Sequence, residues 1–149
     1  MVDIKERAKA LNGEIVRWRR QVHQNPELGL HTPMTETFVV ERLREMGIDE
    51  IRSGVGGHGV AALVRGKKPG KVLGMRADMD ALPVKEETGL PFASTVEGRM
   101  HACGHDAHVA ILLGTARILA ENRNDLAGTV KLIFQPSEED SEGALAMIR

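Results

Sequence analysis

The sequence predicts an α/β fold in which a layered sheet is flanked by helices. Apolar residues recur at helical spacing in several stretches, and short apolar runs bounded by glycine and proline lie between them. Strands separated by helices indicate layers of sheet and helix around a common core. With 149 residues, 42% of them hydrophobic, the chain is long enough to bury such a core.

Helical periodicity accounts for four segments. Residues 4–22 carry apolar side chains at steps of three and four, and residues 33–46 repeat the pattern before Gly47, which suits a C-terminal cap. Residues 106–122 are almost wholly apolar, which is typical of a helix packed against a sheet. Residues 143–148 resemble the first turns of a fourth helix.

Three apolar runs are predicted to be strands, at 59–64, 71–75 and 128–134. The first is apolar throughout, as expected of a strand that is covered on both faces. Residues 66–70 between the first two runs read GKKPG, so we expect these two strands to pair as a hairpin. A glycine- and proline-punctuated loop follows at 82–100.

Composition excludes several classes of partner. The 20 basic and 21 acidic residues give a formal net charge of -1, so nothing indicates binding to nucleic acid or to a membrane surface. Aromatic residues make up 3% and tyrosine is absent, which removes the usual platforms for stacked bases. We expect a small-molecule partner instead.

The same inventory predicts a cytoplasmic protein. The single cysteine, Cys103, cannot form a disulfide framework and favours a reducing compartment. Five of the first ten residues are charged, where a signal peptide would need an apolar run. No apolar stretch is long enough to span a bilayer.

The segment HACGHDAH at 101–108 carries the strongest chemical signal. Cys103 and His105 are two residues apart and can bind one metal, since Gly104 lets the backbone turn tightly between them. The segment precedes a predicted helix, whose dipole is expected to lower the pKa of the Cys103 thiol. A lone cysteine is also typical of a small buried hydrophobic residue, and this segment alone leaves that alternative open.

Two acidic segments follow predicted strands. In Glu138-Glu139 one carboxylate could bind a metal while the other handles protons, although a solvated acidic loop is the alternative. In Asp78-Met79-Asp80 an aspartate could accept the spare N–H of a metal-bound histidine, although such residues also form turns. Since each reactive segment is predicted to end a strand, we expect them to meet at the carboxyl edge of the sheet.

Four motifs resemble a known family. They are RQVHQNPEL at 20–28, RADMDALP at 76–83, MHACGHD at 100–106 and FQPSEE at 134–139. Their order and spacing resemble metal-dependent amidohydrolases such as hippurate hydrolase, N-acyl-amino-acid amidohydrolases and plant auxin-conjugate hydrolases, a branch of the di-metal carboxypeptidase and aminoacylase peptidases. The chain departs at 140–143, where it reads DSEG and the family often has a glycine-rich stretch.

The resemblance implies a zinc-peptidase-like sheet and a di-metal site. Residues 1–149 would be the N-terminal portion of a larger catalytic domain, with further ligands and the lid or dimerisation domain outside this chain. The cofactors implied are two divalent metal ions, zinc first, with manganese, cobalt or nickel as alternatives. Cys103, His105 and Glu139 are the implied ligands, with Cys103 bridging the ions.

The resemblance also implies a reaction. Glu138 would act as the general base and later protonate the leaving amine, and Asp80 would orient a histidine ligand. His101 would be structural, and His108 receives no role. The implied activity is hydrolysis of N-acyl amino acids by an enzyme that is a homo-oligomer when intact. The alternatives are a dipeptidase or carboxypeptidase of the wider family, or a truncated metal-binding fragment without activity.

Overall fold

The computed structural model describes residues 3–149, which form one four-stranded sheet with helices packed on it. The predicted α/β class, with a sheet flanked by helices, is confirmed. The helices are α1 Ile4–His23, α2 Pro33–Glu45, α3 His105–Glu121 and α4 Gly143–Ile148, and the strands are β1 Ile51–Val55, β2 Gly59–Arg65, β3 Lys68–Asp78 and β4 Ala127–Gln135.

The sheet is mixed, with the strand order β1-β2-β4-β3. β1 pairs antiparallel with β2, and β2 pairs antiparallel with β4. β3 runs parallel to β4 along the other side of that strand. The carboxyl ends of β3 and β4 therefore lie side by side, and this is the edge at which a site is expected.

The predicted hairpin between β2 and β3 is wrong, because β4 lies between these two strands. The short connection after β2 instead passes close to the start of β4, and glycines permit the approach. A Cβ atom at Gly66 would lie 2.1 Å from the carbonyl oxygen of Leu126, and one at Gly128 would lie 2.0 Å from that of Lys71. Gly66, which was predicted to lie in a hairpin loop, and Gly128 in β4 thus allow backbone to pack on backbone.

The hairpin that does occur joins β1 to β2, and sequence patterning does not predict β1. The strand reads IRSGV, and only its two end residues are partly buried. So few apolar residues give no clear period-two signal. β1 is held instead by its ladder to β2 and by packing against α2.

One face of the sheet carries the core. Val60, Ala62 and Val64 of β2 are buried, and the side chains that pack with them come from all three long helices and from β4. Ala61 and Leu63 point to the other face and are only half-buried, so the prediction of a strand covered on both faces is wrong. Period-two alternation decides which face each side chain reaches.

α3 brings the reactive segment to the sheet. It begins at His105, one residue before the predicted start, and Gly104 precedes it with a φ of 94° in the left-handed region. α3 packs on the sheet, and α1 packs along α3. Among residues 3–149, no helix combines the length and apolarity that crossing a membrane requires.

Gly128→Ala tests the close approach of Lys71 in β3 to Gly128 in β4. The substitution adds a Cβ 2.0 Å from the carbonyl oxygen of Lys71 at a φ of +82°, so we expect the free energy of unfolding to fall by about 2 kcal/mol. Denaturant titration measures this change. Gly74→Ala in the exposed part of β3 is the control, since no atom lies within 4 Å of its added Cβ. Equal stability of the two variants would contradict the packing described.

Candidate functional site

The reactive segments meet at the carboxyl end of β3 and β4. Asp78 ends β3 and lies opposite Gln135, the last residue of β4, in the parallel ladder. His105, at the start of α3, lies against both segments. The expectation that the segments meet at this edge is confirmed, with one correction. Residues 101–108 do not leave a strand but lead from the long loop into α3.

Asp80 holds the glutamate pair in place. Its carboxylate is buried and accepts the backbone N–H of Glu138 at 2.9 Å and that of Glu139 at 3.0 Å. Burial favours the neutral acid, but the nearby imidazole of His105 and the hydrogen bonds from these N–H groups hold the pKa of Asp80 below its ordinary value. Asp80 therefore fixes the loop that carries both glutamates.

The contact between Asp80 and His105 differs from the one expected. His105 Nδ1 donates to the main-chain carbonyl oxygen of Asp80 at 2.9 Å, whereas the nearer carboxylate oxygen of Asp80 is 3.6 Å away. Since a carbonyl oxygen only accepts, Nδ1 carries the hydrogen and Nε2 is directed away from Asp80. The backbone, more than the carboxylate, orients this imidazole.

Three carboxylates surround Nε2 of His105. Asp78 Oδ2 lies at 3.7 Å, Glu138 Oε2 at 3.6 Å and Glu139 Oε1 at 3.8 Å. These distances exceed those of hydrogen bonds, so the groups share a space without contacting one another. Burial opposes the charged form, but the hydrogen bond to Asp80 and the charge of Asp78 raise the pKa of His105 to about 9.

The donor set fits a divalent transition metal. Ligand atoms of Cys103, His105 and Glu139 all lie within 4.8 Å of one another. Oε1 of Glu139 is buried and has no hydrogen-bond partner, which is costly unless a cation satisfies it. Thiolate, imidazole and carboxylate are the ligands that zinc takes in proteins.

Cys103 is exposed, and its acidity differs from the expectation. Desolvation and the charges of nearby carboxylates, Glu139 first among them, raise the pKa of the thiol, whereas the helix dipole was expected to lower it. The carboxylates lie close to the sulfur and outweigh the dipole. A cation among these groups would reverse the effect.

A second candidate cluster was missed by sequence reasoning. Asp78, His105 and His108 also offer ligand atoms that lie within 4.8 Å of one another. His108 Nδ1 is 2.6 Å from Asp78 Oδ1, and its ring stacks on that of His105 with centroids 5.7 Å apart. The signal available was the spacing of three residues between the two histidines, which places them on one face of a helix.

His101 is a buried histidine whose ring lies near that of His23. It is buried, neither ring nitrogen has a hydrogen-bond partner, and burial lowers the pKa of its imidazole to about 4. Its ring centroid is 6.3 Å from that of His23. Among the described residues, it belongs to neither cluster of candidate metal ligands.

The loop around the glutamate pair closes with a single glycine, Gly143, where the resembled family often has a glycine-rich stretch. Ser137 and Ser141 adopt φ values of 53° and 60°, in the left-handed region where glycine is usual. Gly143 is the one position that requires glycine, since a Cβ there would lie 1.6 Å from the carbonyl oxygen of Pro136. The sequence DSEG therefore still forms a closed turn beneath the glutamates.

Comparison with known proteins gives consistent matches. Residues 74–149, about half of the chain, match the profile of Peptidase family M20/M25/M40. Thermostable carboxypeptidase 2 of Saccharolobus solfataricus is 48% identical over 97% of this chain and 37% of its own length. An N-acyl-L-amino acid amidohydrolase of Geobacillus stearothermophilus is 42% identical over 92% of this chain and 37% of its own length.

A solved structure matches the fold closely. The Bacillus subtilis YXEP protein, described as a dinuclear metal binding peptidase from the M20 family, superposes with a TM-score of 0.89 at 44% identity. The match covers 94% of this chain and 39% of that one. The chain thus spans little more than a third of the length of the relatives it matches.

Asp80→Asn tests how the glutamate loop is held. The amide nitrogen of asparagine cannot accept, so the N–H of Glu138 or Glu139 loses its partner. We expect the amides of residues 137–142 to exchange hydrogen about tenfold faster, which hydrogen-exchange mass spectrometry measures. Asp125→Asn, which alters only a surface pair with Lys68, is the control. Unchanged exchange in Asp80→Asn would show that the loop does not depend on this carboxylate.

Proposed function

Because the chain belongs to Peptidase family M20/M25/M40, we propose that the whole protein hydrolyses the amide bond of N-acyl amino acids, releasing a carboxylic acid and an amino acid. Residues 1–149 form the N-terminal portion of its metal-dependent catalytic domain. The observation that carries the proposal is the cluster of Cys103, His105 and Glu139 with Glu138 beside it. The relative named N-acyl-L-amino acid amidohydrolase supports the substrate class.

The proposed cofactors are two divalent metal ions, zinc first, with manganese, cobalt or nickel as alternatives. We assign Cys103, His105 and Glu139 as ligands, on the basis of their shared space and of the unpartnered oxygen of Glu139. When bound, such ions acidify water and polarise a carbonyl group. The description of the YXEP protein as dinuclear supports the number of ions.

Glu138 is the proposed proton carrier. Its side chain is 41% exposed, so it can reach a bound substrate, while its Oε2 stays 3.6 Å from His105 Nε2. Its carboxylate removes a proton from the attacking water and returns that proton to the nitrogen of the leaving amine. Asp80 contributes to this step indirectly, because its carboxylate accepts the backbone N–H of Glu138 and so fixes the position of that residue.

We propose further that the enzyme works in the cytoplasm as a homo-oligomer on small-molecule substrates, without nucleic-acid or membrane partners. The single cysteine and the balanced charge support this assignment.

A peptidase activity is the second candidate. The relative with 48% identity is named a carboxypeptidase, which favours a substrate with a peptide bond. The two activities differ on the acyl side of the scissile bond, where the substrate of a dipeptidase has a free α-amine and the substrate of an amidohydrolase has an acyl cap instead.

Release of amino acids from a panel of N-acyl amino acids and matched peptides tests the proposal. We expect the full-length enzyme to hydrolyse the capped substrates and a chelator to abolish the release, because the ligands lose their ions. The 149-residue chain alone is expected to be inactive and serves as the control. Hydrolysis of uncapped dipeptides alone would favour the peptidase, and chelator-resistant release would contradict a metal-dependent reaction.

Glu138→Gln separates proton transfer from metal binding. The amide cannot take a proton, so we expect kcat to fall by roughly 10²–10⁴ while metal content, measured by atomic emission, stays unchanged. Glu142→Gln on the same loop is the control, since Glu142 is exposed and lies outside the cluster. Cys103→Ala should instead lower the metal content, because it removes a proposed ligand. Near-normal kcat in Glu138→Gln would remove Glu138 from the proposed reaction.

A further inference from the structure

A second group of buried polar side chains lies on α1, on the first turn of α3 and on the long loop. At its centre is His23, the last residue of α1, which is 3% exposed. His23 Nδ1 lies 2.8 Å from Asp106 Oδ2, and its Nε2 lies 3.2 Å from Glu86 Oε1. None of these three residues has a part in the proposed reaction.

Asp106 ties α1 to the start of α3. It follows His105 directly, is 0% exposed, and accepts from Arg19 Nε at 3.0 Å as well as from His23. Arg19 and His23 are four residues apart and therefore lie on one face of α1. Two charge-assisted contacts thus hold the first turn of α3, and with it the backbone of His105, against α1.

Glu86 ties the long loop to the same end of α1. Glu86 Oε2 accepts the backbone N–H of Ser94 at 2.6 Å, which closes the loop around its carboxylate. The backbone N–H of Thr95 donates to the carbonyl oxygen of Gln24 at 2.9 Å. The guanidinium of Arg20 lies 4.7 Å from the centroid of the Phe92 ring, and this is close enough for a cation–π contact.

The two anchored segments flank the turn 103–105. On one side, the long loop is closed by a bridge between Leu82 and Met100, which are two and three residues from Asp80 and Cys103 respectively. On the other side, Asp106 follows His105. Because Cys103 itself is exposed, the position of this turn depends on the segments on either side.

We propose that His23 is a positioning residue for the turn that carries Cys103 and His105, acting through Asp106 on one side and Glu86 on the other. The inference rests on the proposed function only in requiring that this turn binds a metal. It also gives a role to the RQVHQNPEL segment, which the proposed reaction does not use. Groups that orient metal ligands typically change metal affinity by 10–100-fold when they are lost.

The affinity of the full-length protein for Zn²⁺, measured by competition with a chelating dye, tests the proposal without turnover. His23→Asn keeps a donor near the position of Nδ1, towards Asp106, and His23→Gln keeps one near that of Nε2, towards Glu86. We expect about tenfold weaker binding in His23→Gln and recovery to within about threefold in His23→Asn, because Asp106 is the anchor next to His105.

Arg7→Gln is the matched control. The pair of Arg7 and Glu121 also links α1 to α3, but at the far end of both helices. We expect this variant to keep the wild-type affinity for Zn²⁺. An equal loss in Arg7→Gln and His23→Gln, or wild-type affinity in His23→Gln, would overturn the proposal.

Glu86→Ala decides the question if His23→Gln does not fold. It removes both carboxylate oxygens and with them the contacts to His23 and to Ser94. Weaker Zn²⁺ binding in Glu86→Ala supports the proposal, and unchanged binding overturns it. A wild-type protein that binds none of Zn²⁺, Mn²⁺, Co²⁺ and Ni²⁺ overturns both proposals. One that binds Zn²⁺ but releases no amino acid overturns the proposed function alone.

Discussion

The parallel pairing of β3 with β4 is the constraint on which the site depends. It places Asp78 next to Gln135, so the turn after each strand opens at the same edge of the sheet. The carboxylate of Asp80 can then accept the N–H groups of both Glu138 and Glu139 across that edge. Without this pairing, the glutamates would lie on a loop with no fixed relation to α3.

This arrangement gathers negative charge around a single imidazole. Three carboxylates face His105 Nε2 at distances too long for hydrogen bonds, and one oxygen of Glu139 has no partner. Holding these carboxylates close together costs free energy unless a cation neutralises their charge. The cluster is therefore better explained as a binding site than as a set of interactions that stabilise the fold.

Local patterns predicted the helices and three of the strands, because periodicity is a property of short segments. The spacing of Cys103 and His105 made them candidate ligands, whereas the choice of Glu139 came from the resemblance of four motifs to metal-dependent amidohydrolases. Strand order was not predictable in this way. The GKKPG segment at 66–70 has the composition of a hairpin turn, yet contacts distant along the chain place β4 beside β2. The network around His23 was not predicted for the same reason, since Glu86 and Asp106 approach His23 only in the folded chain.

We propose that a metal ion lies in the space among Cys103, His105 and Glu139. A crystal structure of the full-length protein grown with Zn²⁺, with anomalous data collected at the zinc edge, tests it most directly. We expect an anomalous peak within bonding distance of Cys103 Sγ, His105 Nε2 and a carboxylate oxygen of Glu139. Zinc bound elsewhere, with these three side chains bonded to no ion, would contradict it.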